Sequence, residues 1–241
     1  MTLRNRQPDY TPKTVNRYVP GMSYASDVVH GGLTRISLGT PTVGDADAIL
    51  DNAICDDTAA SFTYRPGQFR TVAGFNGDTG EITDAIYGRN VSIVGSAAGV
   101  TQNCTIKGRD YLGQPIVRTI ALNGTSAAVF GIYKWIDEIT VLIGASTETM
   151  DVGFTDVLGL PYTCVKVLSE ELAGAVNTLG TLVAPTRTDP RLVSTVTNSR
   201  GSYDPNGTLD STSELVITAI FDNSVNASGN GGLYGIKEFG G

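Results

Sequence analysis

The 241-residue chain is poor in the side chains that most often carry chemistry: it has one histidine, His30, and three cysteines. One imidazole cannot build a multi-histidine zinc centre, and any Ser-His-Asp or Cys-His mechanism has to use that single ring. His30 lies in Val28-Val29-His30-Gly31-Gly32, which reads as a loop near a strand start, with the ring in a packing role. Cys55, Cys104 and Cys164 are far apart, so no CxxC-type metal spacing exists. Their odd number and their apolar or small neighbours predict free, buried thiols in a protein made in a reducing compartment. Charge is sparse, with 17% Asp, Glu, Lys and Arg, against about 25% in an ordinary domain. The formal charge of −7 argues against a protein that neutralises many phosphates, so nucleic acid is not an expected partner. No apolar run approaches the roughly 18 residues that cross a bilayer. The opening Met1–Tyr10 has no apolar core of a signal peptide, and no membrane association is expected.

Glycine and turn chemistry are what the chain does have, with 29 Gly and 10 Pro. Residues 1–30 differ from the rest. They hold Pro8, Pro12 and Pro20, the basic Arg4, Arg6, Lys13 and Arg17, and the spaced Tyr10, Tyr18 and Tyr24. No helical or strand period is long enough there to close a core. The segment reads either as a loose tail or as an extended arm that docks on a neighbouring subunit. The arm reading makes Arg4, Arg6, Tyr10, Lys13, Arg17, Tyr18 and Tyr24 the candidate partner contacts, because tyrosine packs its ring and finds a partner for its hydroxyl. Thirty extended residues reach on the order of 100 Å, whereas a compact body of this length has a radius of gyration of about 18 Å.

Residues 31–241 form the predicted body. Short β-branched runs recur at Leu33–Leu38, Phe62–Tyr64, Val91–Val94, Cys104–Lys107, Ile116–Leu122, Ile139–Ile143, Val152–Phe154, Cys164–Leu168, Leu192–Thr197 and Leu215–Phe221. Turn signals separate them at Asn76-Gly77, Gly108–Asp110, Asn123-Gly124, Asn206-Gly207 and Ser228–Gly232. Leu215–Phe221 is apolar on both faces, as suits a strand buried between layers. The fold class expected is mainly β, an antiparallel sandwich or jelly-roll-like body with an extended N-terminal arm and little helix. Two segments carry helical spacing. Asp45–Ile54 repeats Ala46, Ile49, Leu50, Ala53 and Ile54 and reads as a short helix or a loop with one helical turn, and Ser169–Val176 is the other helix candidate.

Candidate chemistry is thin. Asp45, Asp47, Asp51, Asp56 and Asp57 lack the glycine and distal glutamate of a calcium loop and read as a solvated acidic face. Gly74–Gly80 lacks the Lys-Ser/Thr of a phosphate loop and reads as a hairpin tip. Glu170 and Glu171 are adjacent, so their side chains diverge, and they read as surface carboxylates rather than a glycosidase pair. Trp135, in Ile132-Tyr133-Lys134-Trp135-Ile136, reads as a packed aromatic, with sugar stacking as the sharper alternative. No catalytic residue, metal ligand or cofactor site emerges, and no enzyme activity is expected.

Several stretches together carry a resemblance: Gly39-Thr40-Pro41 through Ile49, Gly88–Ile93, Ile106–Pro115, Thr119–Gly124, Asp156–Pro161, Ser199–Pro205 and Gly232–Gly235. In this order, over about residues 33–239, the chain resembles virion structural proteins of tailed bacteriophages of the head decoration or cement type. The resemblance implies a protein made in the host cytoplasm and placed on the capsid surface. It implies the major capsid protein and copies of itself as partners, in a homo-oligomer that stabilises the assembled head. It implies no catalytic residue. A tail, connector or fibre protein is the alternative within the virion, and a glycan-binding β-sandwich is the alternative of another class.

Overall fold

The computed structural model describes residues 33–56, 60–142, 148–185 and 200–221. Residues 1–32, and with them the arm, its seven candidate contacts and His30, lie outside the described residues, as do Leu192–Thr197 and Ser228–Gly232.

Every regular element among the described residues is a strand. In chain order they are β1 (Leu33–Gly39), β2 (Asp45–Asp56), β3 (Phe62–Tyr64), β4 (Phe75–Asn76), β5 (Glu81–Ile82), β6 (Arg89–Gly95), β7 (Asn103–Arg109) and β8 (Pro115–Ala121). They continue with β9 (Ala128–Tyr133), β10 (Trp135–Val141), β11 (Glu148–Gly159), β12 (Cys164–Leu172), β13 (Ala175–Asn177), β14 (Thr181–Val183), β15 (Ser202–Asp204) and β16 (Leu215–Phe221). The pairings are antiparallel throughout. One sheet runs β1-β16-β12-β13; a second runs β4-β5-β10-β7-β8 with β3 also on β10; a third runs β14-β15-β11-β6-β9 with β2 also on β11. The body is therefore mainly β and sandwich-like, as the strand and turn spacing predicts.

Inward residues of the three sheets share one hydrophobic cluster, which includes Phe75, Ile106, Phe130, Ile139, Phe154 and Ile217. Each such side chain contributes roughly 1.5–3 kcal/mol by leaving water. Cys55, Cys104 and Cys164 are buried thiols outside any disulfide, as expected from their neighbours. Burial pushes the Cys104 thiol far up and the Cys164 thiol up to about 11, so neither is a reactive thiolate at neutral pH. β16 is buried along nearly its whole length, which fits its two apolar faces.

Both helix readings give way to strands. Asp45–Ile54 is most of β2, paired to β11 through three register irregularities, with Asn52 at a positive φ of 50°. These irregularities break the period-two alternation. The buried set becomes Ala48, Ile49, Leu50, Ala53 and Cys55, while Ile54 is 43% exposed. Ser169–Val176 is the end of β12, a turn at Ala173-Gly174, and the start of β13; both turn residues have positive φ, 52° and 77°, the geometry of a tight hairpin. Gly153 is required where β2 crosses β11, since a Cβ there would lie 1.8 Å from the Asp45 carbonyl oxygen.

The chain passes from the third sheet to the second in a single residue, Lys134, between β9 and β10. Its buried ammonium donates to the carbonyls of Ile82 and, at 3.1 Å, Ala85, and lies 3.3 Å from Glu81. Its own N–H donates to Arg109 O at 2.8 Å.

Candidate binding cleft

β12 carries register irregularities at Cys164/Lys166 and Val167/Ser169, and these set Cys164, Val167 and Glu170 on its inner side. Glu170 is fully buried, with 0% exposure. The surface reading of Glu170 is thereby corrected, while Glu171 does face outward and pairs with Arg35 at 2.7 Å. Glu170 Oε1 accepts from Asn177 Nδ2 and Gly207 N, both at 3.0 Å. Oε2 accepts from Tyr203 Oη at 2.7 Å, Gly180 N at 3.0 Å and Asn206 N at 3.2 Å. All five donors are uncharged. Stripping a carboxylate of water costs several kcal/mol, and charge-assisted hydrogen bonds of this kind offset it. Burial, and next the bond to Glu170, push the Tyr203 hydroxyl well above its ordinary range, so it stays a donor.

The five donors come from the strand β13, the 178–180 connection, β15 and the Asn206-Gly207 turn. Glu170 thus ties one sheet to the end of another. Beside it opens a cleft of about 360 Å³ lined by Leu172, Val176, Asn177, Asn206, Gly207 and Thr208. Three of those residues are held directly by Glu170, so the cleft's shape is fixed before anything enters it. With its lone pairs committed, Glu170 positions the walls instead of offering a base. Its partners in the Asn206-Gly207 turn lie far along the chain, and no local spacing announces them.

A second polar knot joins stretches that carried the resemblance. Arg200 and Asp110 are both buried and lie 2.8 Å apart. Asp110 Oδ1 accepts from Leu112 N at 2.9 Å and Gln114 N at 2.8 Å, closing the turn into β8. Tyr111 Oη donates to Pro161 O at 2.8 Å, and the Arg200 guanidinium lies 4.9 Å over the Tyr111 ring. Burial pushes the Tyr111 hydroxyl up to about 12. Nearby in sequence to these motifs, the buried Arg89 donates to Asp84 at 2.8 Å and to Thr155 O at 2.8 and 3.1 Å, over the Phe154 ring. These buried cations went unread in the sequence because nothing in their flanking residues separates them from surface arginines.

The other candidates fall in place as follows. Gly74–Gly80 is the β4–β5 hairpin connection, with Gly80 N donating to Asn76 O at 2.8 Å. Asp47 and Asp51 face Arg70 at 2.8 and 3.6 Å, and Asp57 lies outside the described residues. Trp135 is half-buried at the start of β10, flanked by Arg109 and Lys134 at 5.2 and 5.9 Å from its ring. Among the described residues no three or more His, Cys, Asp or Glu side chains gather as a metal would need, and no helix is long and apolar enough to cross a membrane.

The fold and cleft define a mainly β protein with a preformed groove at a sheet edge. No protein-family model, no curated protein and no solved structure matches the chain.

Proposed function

We propose that this chain is a structural protein of a tailed-bacteriophage virion, a capsid decoration or cement protein that binds the assembled head and stabilises it. The observation that carries the reading is the edge strand β13. It ends its sheet without a second partner among the described residues, it carries no charged residue, and it borders a cleft whose walls are fixed from behind by Glu170. Such a surface suits another polypeptide, which supplies main-chain hydrogen bonds to the edge and a side chain to the pocket. The order of the motif stretches over residues 33–239 supports the phage class.

A cement protein acts by mass action. It binds the lattice better than free subunits and so shifts assembly toward the shell. Many weak contacts repeated over a lattice become effectively permanent. The major capsid protein and further copies of this chain are the partners, and the capsid surface is the location. A mass-spectrometric copy count on intact particles tests this. On the order of hundreds of copies is expected for a head protein, whereas about six or twelve marks a ring at the tail or collar and overturns the placement. Particles lacking the protein are expected to lose genome at lower temperature; unchanged shell stability overturns the cementing role.

A further inference from the structure

We infer that the outer edge of β13, unpaired among the described residues, is the docking site for residues 1–32 of a neighbouring copy, which add a strand to the four-stranded sheet and seat a tyrosine in the adjacent cleft. This rests on the reading of the chain as a protein that assembles in many copies.

Natural sheet edges are guarded by lysine, proline or bulges. The edge at β13 has none of these. Its register with β12 is regular, Glu170 to Asn177, Glu171 to Val176 and Leu172 to Ala175, and Ala175–Val183 contains neither a charged residue nor a proline. Val176 is 79% exposed and Leu179 is 44% exposed. An apolar edge this open aggregates unless something covers it.

The cleft describes what covers it. Its lining mixes the apolar Leu172 and Val176 with the amides of Asn177 and Asn206 and the hydroxyl of Thr208. An amphipathic ring with a polar tip suits such a mixed lining, which is the chemistry of tyrosine. Residues 1–32 offer Tyr10, Tyr18 and Tyr24. They also carry Arg4, Arg6, Lys13 and Arg17 against Asp9 and Asp27, in a chain whose net charge is −7. The segment is thus net positive and the rest of the chain strongly negative, so segment and body attract.

Placement supplies the last argument. The segment runs directly into β1, whose first residue Leu33 is 64% exposed. In the order β1-β16-β12-β13, β1 and β13 are the two opposite edges of one sheet. A copy gives its segment from one edge and receives its neighbour's at the other, a head-to-tail contact of the kind that builds rings or filaments. Self-pairing of two β13 strands is the competing occupant. Three residues a side bury far less than the roughly 1,200–2,000 Å² of a stable interface, whereas a segment of this length continues beyond the strand.

The test uses the full chain. Val176→Cys is prepared with one tag, and Tyr10→Cys, Tyr18→Cys and Tyr24→Cys with another; the native thiols are buried. After mixing and mild oxidation, one tyrosine position is expected to give a disulfide joining the two tags. In parallel, light scattering is expected to show that deletion of residues 1–30 and Val176→Glu each convert the oligomer to monomer at unchanged Tm. Loss on Val176→Glu but not on deletion establishes self-pairing and overturns the inference. A crosslink formed only within one copy of a doubly substituted chain also overturns it, as does a wild-type monomer at high concentration. A low copy number in heads with the crosslink present refutes the cement reading alone; a high copy number without the crosslink refutes the docking alone.

Discussion

Glu170 and the Arg200–Asp110 pair are about equally buried, yet they meet the loss of water in different ways. Glu170 is a lone charge whose carboxylate accepts from five neutral donors. Arg200 and Asp110 are opposite charges 2.8 Å apart, but Arg200 Nη2 and Asp110 Oδ2 lack hydrogen-bond geometry, and among the described residues Arg200 Nε and both Gln114 amide atoms have no hydrogen-bond partner. The first arrangement spends every lone pair on donors from β13, β15 and two connections. The second relies on attraction between charges and leaves polar atoms over. The lesson is that full satisfaction by neutral groups fixes shape, while a charge pair fixes only that two segments meet.

Substitutions sharpen this contrast, from the largest effect down. Glu170→Ala leaves five donors without their acceptor and is expected to cost roughly 5 kcal/mol, read as a lower denaturant midpoint; a loss below about 1 kcal/mol shows that the hub is dispensable. Arg200→Ala leaves Asp110 buried and uncompensated and is expected to cost about 3–4 kcal/mol by the same measurement. Alkali comes next. Burial raises the Cys164 thiol from 9.0 to about 11. The unfolded chain releases that proton first, so the stability it contributes is complete below pH 9.0 and is lost as pH rises through about 11. At pH 10 the expected loss is about 1.4 kcal/mol, and Cys164→Ala should flatten that part of the pH profile; an unchanged slope refutes the assignment. The smallest effect is expected when both charges of the pair go. Arg200→Met with Asp110→Asn should fall within about 1 kcal/mol of wild type, because a well-packed neutral replacement avoids the desolvation cost. A double variant as damaged as Arg200→Ala would show that the pair is more than an offset of two costs.

The sequence shows the sheet content plainly. Phe62–Tyr64 and Leu215–Phe221 coincide with β3 and β16, because strong β-branched and aromatic runs between turn signals have few other outcomes. β2 misleads because its irregularities and the positive φ of Asn52 break the strand alternation and leave the consecutive Ala48, Ile49 and Leu50 all buried. Glu170 misleads for another reason. Its neighbour Glu171 does reach an exposed cation, Arg35, and only the tertiary return of Tyr203 and the Asn206-Gly207 turn makes the difference between the two. Burial of a charge is a property of partners far along the chain, so local spacing carries no trace of it.

The one-residue step at Lys134 has a mechanical consequence. Two sheets joined only by long loops can slide before tension reaches the joint, but the β9–β10 connection between these two has no slack. Pulling on one sheet loads the other at once, through a cation clamped to carbonyls of the 82–85 segment. At this joint, load passes between the two sheets without a slack segment to absorb it.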